Sequence, residues 1–402
     1  YRASQLVELG RVRRSGLITT NSISQPFSRR IVGRFVGPEA PLRFTFVVPD
    51  HPWVDSADGA DVRVAMTVTG LGPGEGALVG ALVSGVDDEG VARVELSRRI
   101  GKIQSDLRIG AQVLAVTELR SNSLLSSVGV QLGGSGFLVE GDDGRLFLQT
   151  LSDNERRRVL EIVGARGLAT TGPRQLAIDA SALEEAELRL NYPALYQRLV
   201  NRVQPARQLN AEDLAREGWW KFQRPRLEFR HGLRRLLRSL VTPLTAKHRV
   251  FQFVEGTTMG DSTVVQVALE DALHLGVLSS RIHVVWALAA GGRMGVGNDP
   301  RYLKATCFDP FPFPVCAFED AERIRALGEQ LDAHRKRQQA AHPGLTITGM
   351  YNVLEKLRAG EELTAKERVI HEQGLVSVLK QIHDELDAAV FAAYGWPVTL
   401  SD

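Results

Sequence analysis

Apolar positions along the chain follow two periods. In the first seventy residues, short β-branched runs at Gly16–Thr20, Leu42–Val48 and Val62–Val68 read as strands. Between them Gln5–Leu9 and Ser28–Val36 read as helices, the first closed by Gly10. Strand, helix, strand and a tightly returning antiparallel strand make the closing half of a doubly wound α/β sheet. The opening half, with its ligand-binding turns, is expected upstream of Tyr1. The run GLGPGEGALVG at 70–80 then breaks both periods and reads as a domain boundary. It lacks the GxGxxG spacing, with a strand before and a helix after, of a nucleotide-binding loop.

Residues 81–150 carry short glycine-punctuated apolar segments, expected as strands at Val91–Leu96, Val113–Thr117, Val128–Leu132, Gly136–Val139 and Leu146–Leu148. Leu151–Val163 is expected to be helical, Arg174–Ile178 a strand, and Glu184–Val203 a helix interrupted near Pro193. In Asp271–Ala290, Leu273, Val277, Leu278, Ile282, Val285, Trp286 and Ala289 recur at three- and four-residue spacing, which predicts one buried helix ended by Gly291-Gly292. A glycine-rich loop with Arg293, Asn298, Arg301, Tyr302 and Lys304 follows, and FDPFPFP forces an extended strap. Glu319–His342 and Ala365–Tyr394 read as long amphipathic helices joined by a turn-rich loop. The expected layout is an α/β half-sheet at 1–80, a mixed α+β domain at 81–315 and a helical region at 316–402.

Length and charge sharpen this picture. A chain of 402 residues has room for two or three cores. No apolar run reaches membrane-spanning length, and the N-terminus lacks the apolar stretch of a signal peptide. Two cysteines, Cys307 and Cys316, point to a reducing, cytoplasmic setting and make no metal site. The net charge of +2 hides an uneven distribution: from Gln197 to Arg249 there are 13 Lys/Arg against 4 Asp/Glu, and residues 1–36 hold 7 against 1. Such a basic stretch fits a polyanion, or lies on solvated helix faces. Within it Trp219, Trp220 and Arg224, then Lys247, His248 and Arg249, interleave rings with cations. Guanidinium groups grip phosphates and rings stack on bases, while the tryptophans would equally serve as core. No HExxH, Cys/His, GxSxG or nuclease cluster stands out.

Several long runs carry a resemblance: GLITTNSI, PDHPWVDSADGA, TAKHRVFQF, LGVLSSRIHVVWALAAGGRMGVGNDPRY and CFDPFPFP. Over residues 10–397 the chain resembles the C-terminal part of adenine-specific, class I DNA methyltransferases, of the kind found in MmeI-like type IIG restriction–modification enzymes. The resemblance implies S-adenosylmethionine as cofactor, double-stranded DNA as partner, and a recognition domain in the middle of the chain. It makes Trp53 a candidate to stack on a flipped adenine, with a half-buried loop aromatic as the alternative. It places Arg293, Asn298, Arg301, Tyr302, Lys304, Lys247, His248, Arg249, Trp219, Trp220 and Arg224 near DNA.

The family's cofactor turn and its Asn/Asp-Pro-Pro-aromatic catalytic turn are not found. Asp50-His51-Pro52-Trp53 has histidine for the first proline, and the Asp-Pro pairs at 299–300 and 309–310 fall in the recognition region. No catalytic or cofactor-binding residue is therefore assigned, and these parts are expected on an upstream methyltransferase or nuclease segment of the same or another chain. The competing reading is a non-catalytic DNA-specificity subunit, which would have no use for methyltransferase strands.

Overall fold

The computed structural model describes residues 1–24, 26–37, 40–52, 63–86, 92–110, 116–170, 174–209, 217–294 and 299–400. The chain forms two compact units, Tyr1–Val116 with Gly291–Asp299, and Thr117–Ala290 with Pro300–Asp402.

The first unit is built on a five-stranded sheet of β1 (Arg14–Thr20), β2 (Leu42–Pro52), β3 (Arg63–Leu71), β4 (Gly76–Val86) and β5 (Ala92–Gly101), in the order β1-β3-β2-β4-β5. β3 runs antiparallel between β1 and β2, pairing Leu17 with Thr67 and Thr67 with Val47. One face carries the core, where Val47, Leu78, Phe44 and Leu42 meet Val7 and Phe35. The glycine-rich stretch expected to end a domain instead turns the chain from β3 into β4 of the same sheet. β4 joins β2 in parallel, Val47 opposite Leu78. Gly76 is required there because a Cβ would collide with the Phe44 carbonyl.

The second unit holds a four-stranded antiparallel sheet, order β10-β9-β12-β6, of β6 (Ser126–Val128), β9 (Arg238–Pro243), β10 (Gln252–Glu255) and β12 (Val264–Val267). A three-stranded sheet joins β7 (Val159–Val163), β8 (Gln175–Ile178) and β11 (Met259–Gly260). Four expectations give way here, the first being the strand expected at Gly136–Val139, where Ser135–Phe137 is a 3-10 turn. The segment at 146–148 lies in a helix, Gly141–Thr150, and not in a strand. Leu151–Val163 is helical only over Asp153–Arg156, where Ser152 and Glu155 form a capping box, before it becomes β7. The single helix expected over 271–290 is two, Ala272–Ser279 and Arg281–Ala290, bent by 62°. Ser280 is extended at the break, and the Arg281 N–H is taken by Asp387 Oδ1 at 2.7 Å, which starts the second helix afresh.

The helices of the tail pack within this unit. Phe318–Ala341 crosses Ala272–Ser279 where Gly276 and Gly328 allow backbone contact, since a Cβ on Gly328 would strike the Ala272 carbonyl. The expected turn-rich joint contains a further helix, Ile347–Ala359, and the last helix is broken at Leu375, which sits at φ 43°. Apolar residues of these segments, Met350, Leu354, Leu379 and Leu386, are buried, which is why each folds as helix. Among the described residues no single helix is long and apolar enough to cross a membrane.

Candidate nucleic-acid interface

Three loop regions of the second unit present basic side chains. In the first, Gln131 and Arg224 exchange backbone hydrogen bonds at 3.1 and 3.0 Å, and Gln223 N–H donates to Leu132 at 3.3 Å. The buried Arg207 pins this ladder from beneath, donating to the carbonyls of Leu132 at 2.7 Å and Lys221 at 3.2 Å. Gly133, at φ 74°, has no room for a Cβ above that guanidinium. The ladder leads to Arg226, which occupies the left-handed region at φ 54° and caps the helix Leu227–Leu233. Non-glycine residues reach that region at a cost of about 1–2 kcal/mol. Burial and the neighbouring Arg224 charge lower the Arg226 pKa from its ordinary value, and the group stays cationic.

Ion pairing separates the basic residues of this stretch into two sets. Arg230 pairs with Asp179 in the interior, Lys221 with Glu184, and Arg238 with Glu329. Arg224, Arg226, Arg234 and Arg235 have no acidic partner among the described residues, and all but the half-buried Arg226 are exposed. Unpaired cations on a rigid ladder and helix are what a phosphate chain needs.

The second region surrounds the short helix Ala165–Ala169. Its exposed Arg166 lines a cleft of about 280 Å³ together with Thr245, Lys247 and His248. It also lines one of about 530 Å³ with Gly164, Arg174, Gln175, Asp261 and Thr263. Lys247 donates to Asn352 at 3.0 Å and Glu355 at 2.9 Å, and the Glu355 carboxyl is held below its usual range by that lysine. His248 shares a hydrogen bond with Asn352 at 2.8 Å. Exposed pairs of this kind are weak enough to be exchanged for a phosphate. In the third region Arg301 bridges Thr245 through its backbone, and its buried Nε has no partner among the described residues. Lys304 is paired with Asp309 at 2.5 Å.

Four residues expected at DNA are interior groups. Trp219 and Trp220 are 5% and 6% exposed, edge to face at 5.8 Å, and the Trp220 indole donates to the Leu183 carbonyl at 3.0 Å. Tyr302 is fully buried, its hydroxyl 3.0 Å from His283 Nε2. Arg249 lies 5.0 Å over the Tyr302 ring and donates to Thr242 Oγ1 at 3.0 Å and to the carbonyls of Pro243 and Pro300. Burial pushes its pKa down to about 10. These rings and this guanidinium hold the domain together and offer no face to a ligand, the core alternative for the tryptophans. Trp53, Asn298 and the side chain of Arg293 lie outside the described residues. Sequence reasoning pointed to the basic stretch around Trp219 to Arg226 but did not single out Arg166, Arg234 or Arg235. Their signal was the absence of acidic residues at neighbouring positions that the fold brings near, which a linear pattern does not display.

Among its described residues, the first unit holds one groove whose lining can be set against a cofactor's needs. This apolar groove of about 200 Å³ is lined by residues such as Leu17, Ile23, Val32, Phe35, Ser15 and Thr69, with no carboxylate. A nucleoside cofactor such as S-adenosylmethionine needs an acidic side chain for its ribose and a glycine-rich turn beside a strand. The groove supplies neither and does not fit it. No cluster of three His, Cys, Asp or Glu able to hold a metal occurs among the described residues.

Comparison with known proteins bears on the same region. Residues 127–315 match the family model described as MmeI, target recognition domain. A DNA methyltransferase A of Bacillus subtilis (strain 168) is 29% identical over 119 residues, 28% of this chain and 13% of that protein. Among solved structures, the type IIL restriction–modification enzyme MmeI in complex with DNA superposes with a TM-score of 0.70 at 17% identity. The match takes in 98% of this chain and 49% of that one, so the chain spans about half the length of that enzyme.

Proposed function

We propose that this chain, whose residues 127–315 form an MmeI-like target recognition domain, is the DNA-recognising part of an adenine-N6 DNA methyltransferase of a restriction–modification system. The observation that carries the reading is that recognition-domain match. The matched residues include Arg224, Arg226, Arg234 and Arg235, which lack acidic partners among the described residues. In this reading those arginines, with Arg166 and Lys247, hold phosphates of duplex DNA. Arg293, Asn298 and Arg301 are proposed as base readers, and Trp53 as the ring that stacks on the flipped adenine.

The first unit supports a methyltransferase over a bare specificity subunit. β1 and β2 run the same way with antiparallel β3 between them, as the closing half of a class I sheet would. β1 is an edge of the described sheet, and the apolar groove lies beside it. An upstream segment would add the next strand there and bring the S-adenosylmethionine and catalytic turns. When bound, that cofactor supplies the methyl group, while residues of this chain orient the duplex. The test is selection of duplexes from a randomised library by this chain, followed by methylation-site mapping after joining it to the upstream reading frame. Binding that shows no sequence preference would overturn the recognition role, and methylation of cytosine would overturn the adenine assignment.

A further inference from the structure

We propose that Asp261 reads a base edge, its carboxylate accepting a hydrogen bond from the exocyclic amine of one cytosine or adenine in the recognised sequence. The inference rests on the reading of residues 127–315 as a duplex-recognition domain. Asp261 lies in the turn between β11 and β12, within the cleft of about 530 Å³ described above. Its Oδ1 accepts from the Thr263 backbone N–H at 2.7 Å and from Thr263 Oγ1 at 2.5 Å. Thr263 Oγ1 in turn accepts from the Ala165 N–H at 2.8 Å, so the rotamer is fixed from both sides.

The other oxygen is left over. Oδ2 receives no hydrogen bond from the described residues and lies over Gly164, where a Cβ would collide with it. Nor has the carboxylate a cationic partner among them. Arg174, in the same cleft, is engaged by Glu161 at 2.8 Å and by Thr258 at 3.0 Å. A half-buried carboxylate beside an exposed arginine repels phosphate, so a DNA surface tolerates it only where it meets donors. In the major groove the amines of cytosine N4 and adenine N6 are those donors. A residue that merely closed its own turn would need Oδ1 alone.

Asp261→Asn separates the two roles, because the amide keeps an acceptor for Thr263 and turns the other atom into a donor. The full 402-residue chain is used to select duplexes from a randomised library. Binding is then measured to the selected site with each cytosine replaced by 2-pyrimidinone or each adenine by purine, which lack the amine. The expected result is one position where loss of the amine weakens wild-type binding about 5- to 150-fold. Asp261→Asn loses that discrimination and selects a different base there. If no position responds to amine removal in the wild type, the inference falls, whatever the variant's folding. It falls also if Asp261→Asn keeps every wild-type preference. A chain that selects no sequence would sink both this inference and the recognition reading.

Discussion

The unpaired arginines offer a quantitative check on the interface. If Arg224, Arg226, Arg234 and Arg235 each neutralise one phosphate, each contributes about −0.9 to the slope of log K against log salt, about −3.6 together. Raising salt from about 50 to about 200 mM then weakens binding by about 150-fold through these four contacts. The perturbation is Arg224→Ala with Arg226→Gly, which should leave about a 12-fold loss over the same range. Glycine at 226 suits the left-handed backbone and relieves the strain of a Cβ there, so the variant should be no less stable than the wild type. Phosphate contacts carry little sequence information, so the selected site should not change. Fluorescence anisotropy with a labelled duplex across a salt series reads the slope, and a thermal melt confirms folding. A folded double variant with the wild-type slope would refute the assignment and put these arginines on a solvated face.

Three further outcomes follow from the same structure. Arg249→Ala should lower stability by about 3 kcal/mol, because it strands the Thr242, Pro243 and Pro300 acceptors in the interior. Denaturant melts read this loss, and an unchanged midpoint would contradict it. Burial pushes His283 down to about 3 from 6.5, so the folded protein keeps the ring neutral while the unfolded chain protonates it. Stability contributed by the neutral ring is complete above about pH 6.5 and is lost as pH falls towards 3, by about 2 kcal/mol at pH 5. His283→Gln should flatten that part of the pH–stability curve, and an equally steep curve would exclude His283 as its source. Finally, the chain alone should transfer no methyl group from labelled S-adenosylmethionine to DNA, and any incorporated label would overturn the placing of the cofactor turns upstream.

Local pattern was enough for elements whose side chains answer to one neighbouring surface. β2, β3 and the long helix at 318–341 are legible in the residues because each buries an apolar face, while β1 and the break at Pro193 are legible from residue type alone, since Leu17 and Ile18 of β1 are exposed. The recognition likeness was equally legible, since it rests on long runs rather than on burial. Elsewhere the outcome depended on distant partners. Asp271–Ala290 has an uninterrupted helical period, yet Asp387, more than a hundred residues away, caps a new helix at Arg281 and bends the pair. The glycines at 70–80 look like a linker, but the Phe44 backbone needs one of them for a strand to pass. Whether a cation is free for phosphate is likewise a tertiary property. Arg230 and Arg234 are one helical turn apart, but only Arg230 faces Asp179 and is neutralised in the core. Sequence sets which side chains are present, while folding decides which charges are spent on each other and which remain for a ligand.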